Sequence, residues 1–206
     1  MTSEISERIG RLYSAVGATS SPDLSQVRAR IVPTGMEIDF SAGASPAELS
    51  NAAHTAIHAV GHLGDHIRKW ARASGHDPSA VSKTVDGSYA LQVIIDLSAN
   101  DKHGYPPRDG GRSRVAPRLT RVFRMLQMQA GPGIGSTASV IYRFDGTPPK
   151  VEGGRVLLVI SGEVVDKQGR KLPELAELLT DAIAAWEALL VTYRVVPEEP
   201  SGGEDR

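Results

Sequence analysis

Four histidines recur at every fourth residue, His54, His58, His62 and His66, in a chain that holds only six. Positions four apart lie one turn apart on an α-helix, so this spacing sets the imidazoles along one side and drifts them by about 40° per step. A second polar set, Gln92, Asp96, Asn100 and His103, is spaced in the same helical way. Imidazole is the side chain that gains or loses a proton near neutral pH, and a neighbouring carboxylate can orient it and stabilise its charged form. Two helices packed with these sides converging would bring His62, Asp65, Asp96, Asn100 and His103 into one hydrogen-bonded neighbourhood. There His103 would act as a general acid/base, with Asp96 beside it.

Other readings use the same residues. Histidines four apart on a helix chelate zinc, copper or nickel. His58 with His62, or His62 with His66, would supply two ligands, and His103 or Asp96 a third. No HExxH arrangement is present and nothing fixes a third ligand, so no metal and no cofactor are assigned. A structural reading also stands: Asp96 and Asn100 lie in a largely apolar helix and need hydrogen-bond partners whatever the function. The ladder's spread of about 120° round the helix leaves two of its four histidines as ordinary surface residues.

A cationic segment follows the second stripe. Arg108, Arg112, Arg114, Arg118, Arg121 and Arg124 are opposed there by the single acid Asp109. Gly110 and Gly111 allow that backbone a close approach to a ligand. Lys102, Arg112 and Arg114 are therefore the phosphate-binding candidates, against the alternative of a solvated loop and strand face. Tyr105 is the one aromatic nearby, too little for a base-stacking platform. Gly131-Pro132-Gly133-Ile134-Gly135-Ser136 lacks the lysine of a phosphate loop and leads into a strand, so it reads as a turn.

The pairing of His62-Leu63-Gly64-Asp65-His66 with Asp96-Leu97-Ser98-Ala99-Asn100-Asp101-Lys102-His103 resembles the helical core of HEPN-type bacterial proteins. The resemblance covers roughly residues 46 to 110. That superfamily includes metal-independent ribonucleases, toxins and phage-defence proteins, many of them dimers. It implies a site that engages RNA or another phosphate-bearing ligand, ribonuclease activity, and a homodimer. The family's catalytic signature is an arginine, four to six residues, then a histidine. Here His103 matches the histidine, while the arginine positions hold Asp96, Leu97 and Ser98. Nuclease activity then needs another cation in the arginine's place. The alternatives are a non-catalytic binding or oligomeric scaffold protein, and a metal-dependent hydrolase built on the histidine ladder.

The whole chain narrows the choice. Its 206 residues suffice for one domain, expected over 1–195, with 196–206 an acidic disordered tail. Lysine and arginine number 23 against 24 acids, a formal charge of −1, so nucleic-acid binding would have to be local. Cysteine is absent, which excludes disulfides and thiolate sites. The N-terminus lacks the apolar core of a signal peptide, and no run approaches the ~20 apolar residues of a membrane span. A cytoplasmic protein with no membrane partner is expected.

Those site residues need elements to carry them. Ile5, Ile9, Leu12 and Val16 mark an amphipathic first helix. Residues 27 to 40 alternate as a hairpin, with Ile31 facing Met36, Ala29 facing Ile38, Arg30 facing Glu37 and Arg28 facing Asp39. Ser45 caps a helix running to about Ser74, with Leu49, Ala53, Ala56, Val60, Leu63, Ile67 and Trp70 as its apolar stripe. A second helix is expected from about 87 to 101, capped by Asp86. Strands follow near 119–129, 138–146, 155–165 and 170–172, and a last helix starts near Pro173. Helices flanking hairpin-like strands predict an α+β fold, a HEPN-like helical core packed on an antiparallel sheet of about five strands.

Overall fold

The computed structural model describes residues 2–15, 24–104, 109–130, 137–142 and 147–195. Helix α1 (Thr2–Ala15) buries Ile5, Ile9 and Leu12 at the expected spacing, while Val16 lies outside the described residues. The hairpin of β1 (Arg28–Val32) and β2 (Gly35–Asp39) has the register the alternation predicts, Ile31 opposite Met36 and Arg30 opposite Glu37. Arg30 Nη2 lies 2.6 Å from the Glu37 carboxylate. The apolar side is only partly covered. Ile38 packs on a small cluster with Val27 and Val156, whereas Ile31 and Met36 stay exposed.

Helix α2 (Pro46–Ala73) starts at a reciprocal cap: the Ser45 amide donates to the Glu48 carboxylate at 2.8 Å, and the Glu48 amide donates to Ser45 Oγ at 3.3 Å. It ends at Ser74, followed by Gly75 in the left-handed region, φ +75°. Its buried side holds the predicted stripe with one correction. Trp70 is half-buried, stacked on His76 at 5.1 Å, and Ala71 occupies the core in its place.

The helix expected from 87 to 101 forms two residues later, and a further helix that the sequence did not announce precedes it. Helix α3 (Ser79–Gly87) and helix α4 (Tyr89–His103) part at Ser88, whose backbone is extended and whose hydroxyl accepts from the Leu91 amide at 3.3 Å. Gly87 weakens the helix and Ser88 caps the next one, so the break falls between them. Asp86 accordingly lies inside α3 and caps nothing.

The α+β class is as expected, but one sheet of about five strands does not form. The described strands make three separate two-stranded antiparallel ladders. The long one pairs β3 (Arg118–Ala130) with β6 (Gly154–Val165). β4 (Ser139–Ile141) and β5 (Lys150–Glu152) form a short one. Gly153, φ +75°, makes the bend between β5 and β6, which belong to different ladders. The strand expected at 170–172 is a single bridge, Val165 to Lys171. The turn expected at 131–136 and the tail at 196–206 lie outside the described residues.

Helix α5 (Leu175–Thr192) closes the core, burying Leu175, Leu178, Leu179, Ala182, Trp186 and Leu190. The Trp186 indole N–H donates to the Val60 carbonyl of α2 at 3.1 Å. Among the described residues no helix is long and apolar enough to cross a membrane.

Candidate functional site

The histidine ladder divides three ways. His58 bridges α2 to α4, its Nδ1 2.8 Å from Ser98 Oγ and its Nε2 2.7 Å from Asp101 Oδ2. His54 shares the same carboxylate, with Nδ1 3.1 Å from Asp101 Oδ1. That contact is out of line for a hydrogen bond, so it is a close approach only. His62 stacks on His58, rings 5.7 Å apart and 10° from parallel, and its Nε2 lies 3.4 Å from Ser98 Oγ. His66 accepts from Arg8 of α1 at 3.2 Å. The expectation that two of the four are plain surface residues is not met, because each has a partner on another element. The weak metal candidates are parted by these same contacts. His58 is committed to Ser98 and Asp101, and His66 to Arg8. Among the described residues no three His, Asp or Glu side chains are grouped to hold a metal ion.

Beside His58 and His62 opens a cavity of about 260 Å³ between α2, α3 and α4. Helix α2 contributes His62, Asp65 and Arg68 to its wall, and α4 contributes Ser98, Lys102 and His103. Arg112 enters from the loop after α4, and Val81, Val85, Ile95 and Trp186 make the apolar floor. Two glycines of α2 keep the cavity shape. A Cβ on Gly64 would stand 2.9 Å from the Trp186 ring, and one on Gly61 3.2 Å from Ser98 Cβ. Asp65 is occupied by Arg68 at 2.7 Å. Lys102 has no hydrogen-bond or ion-pair partner among the described residues, so its charge faces the cavity and solvent. The Arg112 guanidinium lies 3.8 Å from Asp86, and Arg68, Lys102 and Arg112 against Asp65 and Asp86 leave the mouth with one net positive charge.

The structure therefore brings His62, Asp65, Lys102, His103 and Arg112 to one cavity, and separates Asp96, Asn100 and Arg114 from it. Asp96 is a correction. It is buried, and its carboxylate accepts from the Arg112 amide at 2.9 Å and from the Ser113 amide and hydroxyl at 2.8 and 2.6 Å. It does not orient His103. Asn100 donates to the Pro117 carbonyl at 3.3 Å, and Gln92 to the Asp86 carbonyl at 2.9 Å. The polar stripe of α4 is thus a row of side-chain latches onto backbone, the structural outcome for polar groups in an otherwise apolar helix. Arg114 is exposed and lies 3.9 Å from Asp109, away from the cavity. Arg108 and Tyr105 lie outside the described residues.

Ser98 and Asp101, the α4 partners of His58, were not among the residues singled out from sequence. Ser98 lies about 160° round the helix from Asp96, off the stripe that drew attention. Three residues on, Asp101 shares its flank. Together they form the polar edge of the apolar side made by Leu91, Ile94 and Leu97, which was the signal available. Arg68, one turn beyond Gly64, was missed as well. Compared with protein-family models, curated proteins and solved structures, the chain matches none.

Proposed function

We propose that the cleft binds a phosphate-bearing ligand, single-stranded RNA in the first instance, and cleaves its phosphodiester without a metal, with His62 and His103 moving the protons. One observation carries this reading: Arg112 lines the same cavity as His103. The HEPN-like resemblance calls for an arginine shortly before the histidine, and Asp96 stands at that place. Yet Asp96 binds the Arg112 backbone amide and so fixes the loop that brings a different guanidinium to the site. A guanidinium and an ammonium aimed at one phosphate stabilise the charge of a pentavalent transition state. Two histidines from separate helices supply one base and one acid, the pair that a phosphoester cleavage consumes. The cavity volume suits one phosphate with part of a sugar and cannot take a duplex. A cytoplasmic setting and a homodimer belong to the same reading and rest on the absence of cysteine and on the resemblance.

The test uses a short fluorescein-labelled single-stranded RNA in EDTA. Binding should weaken steeply with salt, and Arg112→Ala or Lys102→Ala should each lower affinity about tenfold, ~1.4 kcal/mol, and flatten the salt slope. Cleavage should vanish in His62→Ala and His103→Ala. No binding by the wild type at low salt would end this reading and leave the scaffold alternative.

A further inference from the structure

We propose that Ser98 is the attacking nucleophile of this cleft, activated by His58 and Asp101, and that it carries the phosphoryl group as a covalent serine ester. The proposal rests on the phosphate-binding reading, names the attacking oxygen, which that reading leaves open, and passes the base's part from His62 to His58.

The hydrogen-bond directions follow from the partners. An ionised Asp101 only accepts, so His58 Nε2, 2.7 Å away, carries the ring proton. In the neutral imidazole Nδ1 is then the acceptor, and Ser98 Oγ at 2.8 Å donates to it. A hydroxyl donating to an imidazole whose far nitrogen is held by a carboxylate is the arrangement that activates serine nucleophiles on unrelated folds.

Four helical threonines show what a structural hydroxyl does. Thr55, Thr84, Thr180 and Thr192 each donate to the carbonyl four residues back, at 2.8 to 3.0 Å. Ser98 turns across to the neighbouring helix instead. It is 4% exposed, and what it shows lines the cavity one turn before Lys102, with His62 Nε2 3.4 Å from its oxygen. Those two groups can donate to the phosphoryl oxygens as charge develops. Across from it, Gly61 has no side chain to block the approach, and a Cβ there would lie 3.5 Å from Ser98 Oγ.

In the first step the Ser98 Oγ–P bond forms as the P–O bond to the leaving alcohol breaks. The serine proton passes to His58 Nδ1, and His103 protonates the leaving oxygen. In the second step water attacks phosphorus and gives its proton to His103. The Oγ–P bond breaks, and His58 returns its proton to Ser98. The sum is a phosphodiester plus water giving a monoester plus an alcohol. No 2′-hydroxyl takes part, so phosphodiesters lacking one are substrates too.

A fluorophosphonate probe, which phosphonylates activated serines, tests this on the full-length chain, with the labelled residue mapped by peptide mass. One adduct per chain is expected, on Ser98, slowed by added inorganic phosphate. His58→Ala and Asp101→Asn should slow labelling about a hundredfold, the worth of a general base, with near-wild-type circular dichroism. Bis(p-nitrophenyl) phosphate should be hydrolysed in EDTA by the wild type and left intact by Ser98→Ala. An unlabelled, folded wild type, or an adduct on another serine such as Ser82, would overturn the proposal. Cleavage of RNA with neither an adduct nor turnover of the nitrophenyl ester would also overturn it, while leaving the phosphate-binding reading intact. An adduct on Ser98 without RNA binding would uphold the nucleophile and remove RNA as the ligand.

Discussion

Asp96 holds Arg112 by its backbone and not by its guanidinium: Oδ1 accepts the Arg112 amide at 2.9 Å, while the side chain lines the cavity. The acid thereby governs a cation it never neutralises. Gly111, at φ +72°, lies so close that any Cβ there would collide with the Asp96 carboxylate.

Asp96→Ala should therefore weaken RNA binding about as much as Arg112→Ala, although Asp96 lies outside the cavity. It strands the buried Ser113 amide and hydroxyl, which should cost about 2–4 kcal/mol in urea unfolding. Arg112→Ala, at an exposed side chain, should cost less than about 0.5 kcal/mol. Equal stability losses in the two variants would contradict this division of labour.

Gly64→Ala tests the floor of the cleft. The added methyl would press on the Trp186 ring, which is fully buried and tied to Val60. Overpacking of this kind should cost about 1–3 kcal/mol. Thermal melting measures the loss, and a shift in tryptophan emission should accompany it, because Trp70 lies elsewhere.

His103→Ala should abolish cleavage and barely change unfolding, within about 0.5 kcal/mol, because the side chain is exposed at the end of α4. His54→Ala is its control. His54 touches Asp101 only through an out-of-line contact, so both cleavage and melting should stay close to wild type. A loss in His54→Ala as deep as that in His103→Ala would mean that the ladder has been divided wrongly.

The cap of α2 predicts a pH dependence. Hydrogen bonds from the Ser45 amide and hydroxyl hold the Glu48 carboxyl below its ordinary value of 4.5. A depressed carboxyl stabilises the fold above the unfolded-state value, and that contribution is lost as pH falls through the lower folded value. The carboxyl carbon of Glu48, followed by NMR, should titrate with a midpoint under 4.5. Ser45→Ala removes the hydroxyl but not the amide, so it should move the midpoint part of the way back up and weaken the helix start by about 1 kcal/mol. An unchanged midpoint in Ser45→Ala would show that the hydroxyl is not a cause and leave the amide of residue 45, which the substitution keeps, as the one that is.

The hairpin register and the span of α2 were legible because each rests on short-range periodicity, with Ser45-Pro46 and Gly75 punctuating the helix. Helix α3 was hidden, since its mostly polar run offers only Val81 and Val85 as buried positions. The site was half legible. His62, Asp65, Lys102, His103 and Arg112 share a cavity as their spacing and charge suggested. Asp96 and Asn100 looked catalytic because helical phase says which residues share a side and not what that side meets. Their partners, Ser113 and Pro117, are fixed by a loop path that no local pattern encodes. Ser98 escaped notice for the same reason, its significance arising only when His58 is laid across it.

Helix α4 has no idle side. Leu91, Val93, Ile94 and Leu97 are buried in the core, Gln92, Asp96 and Asn100 fasten the chain on either side of it, and Ser98, Lys102 and His103 line the cavity. Most surface helices keep one strip on which sequence can drift at little cost; this one has none from Ala90 to His103. In a saturation library it should be the least permissive stretch of the chain, and new specificities would have to arise from what faces it, at α2, α3 or the Arg112 loop.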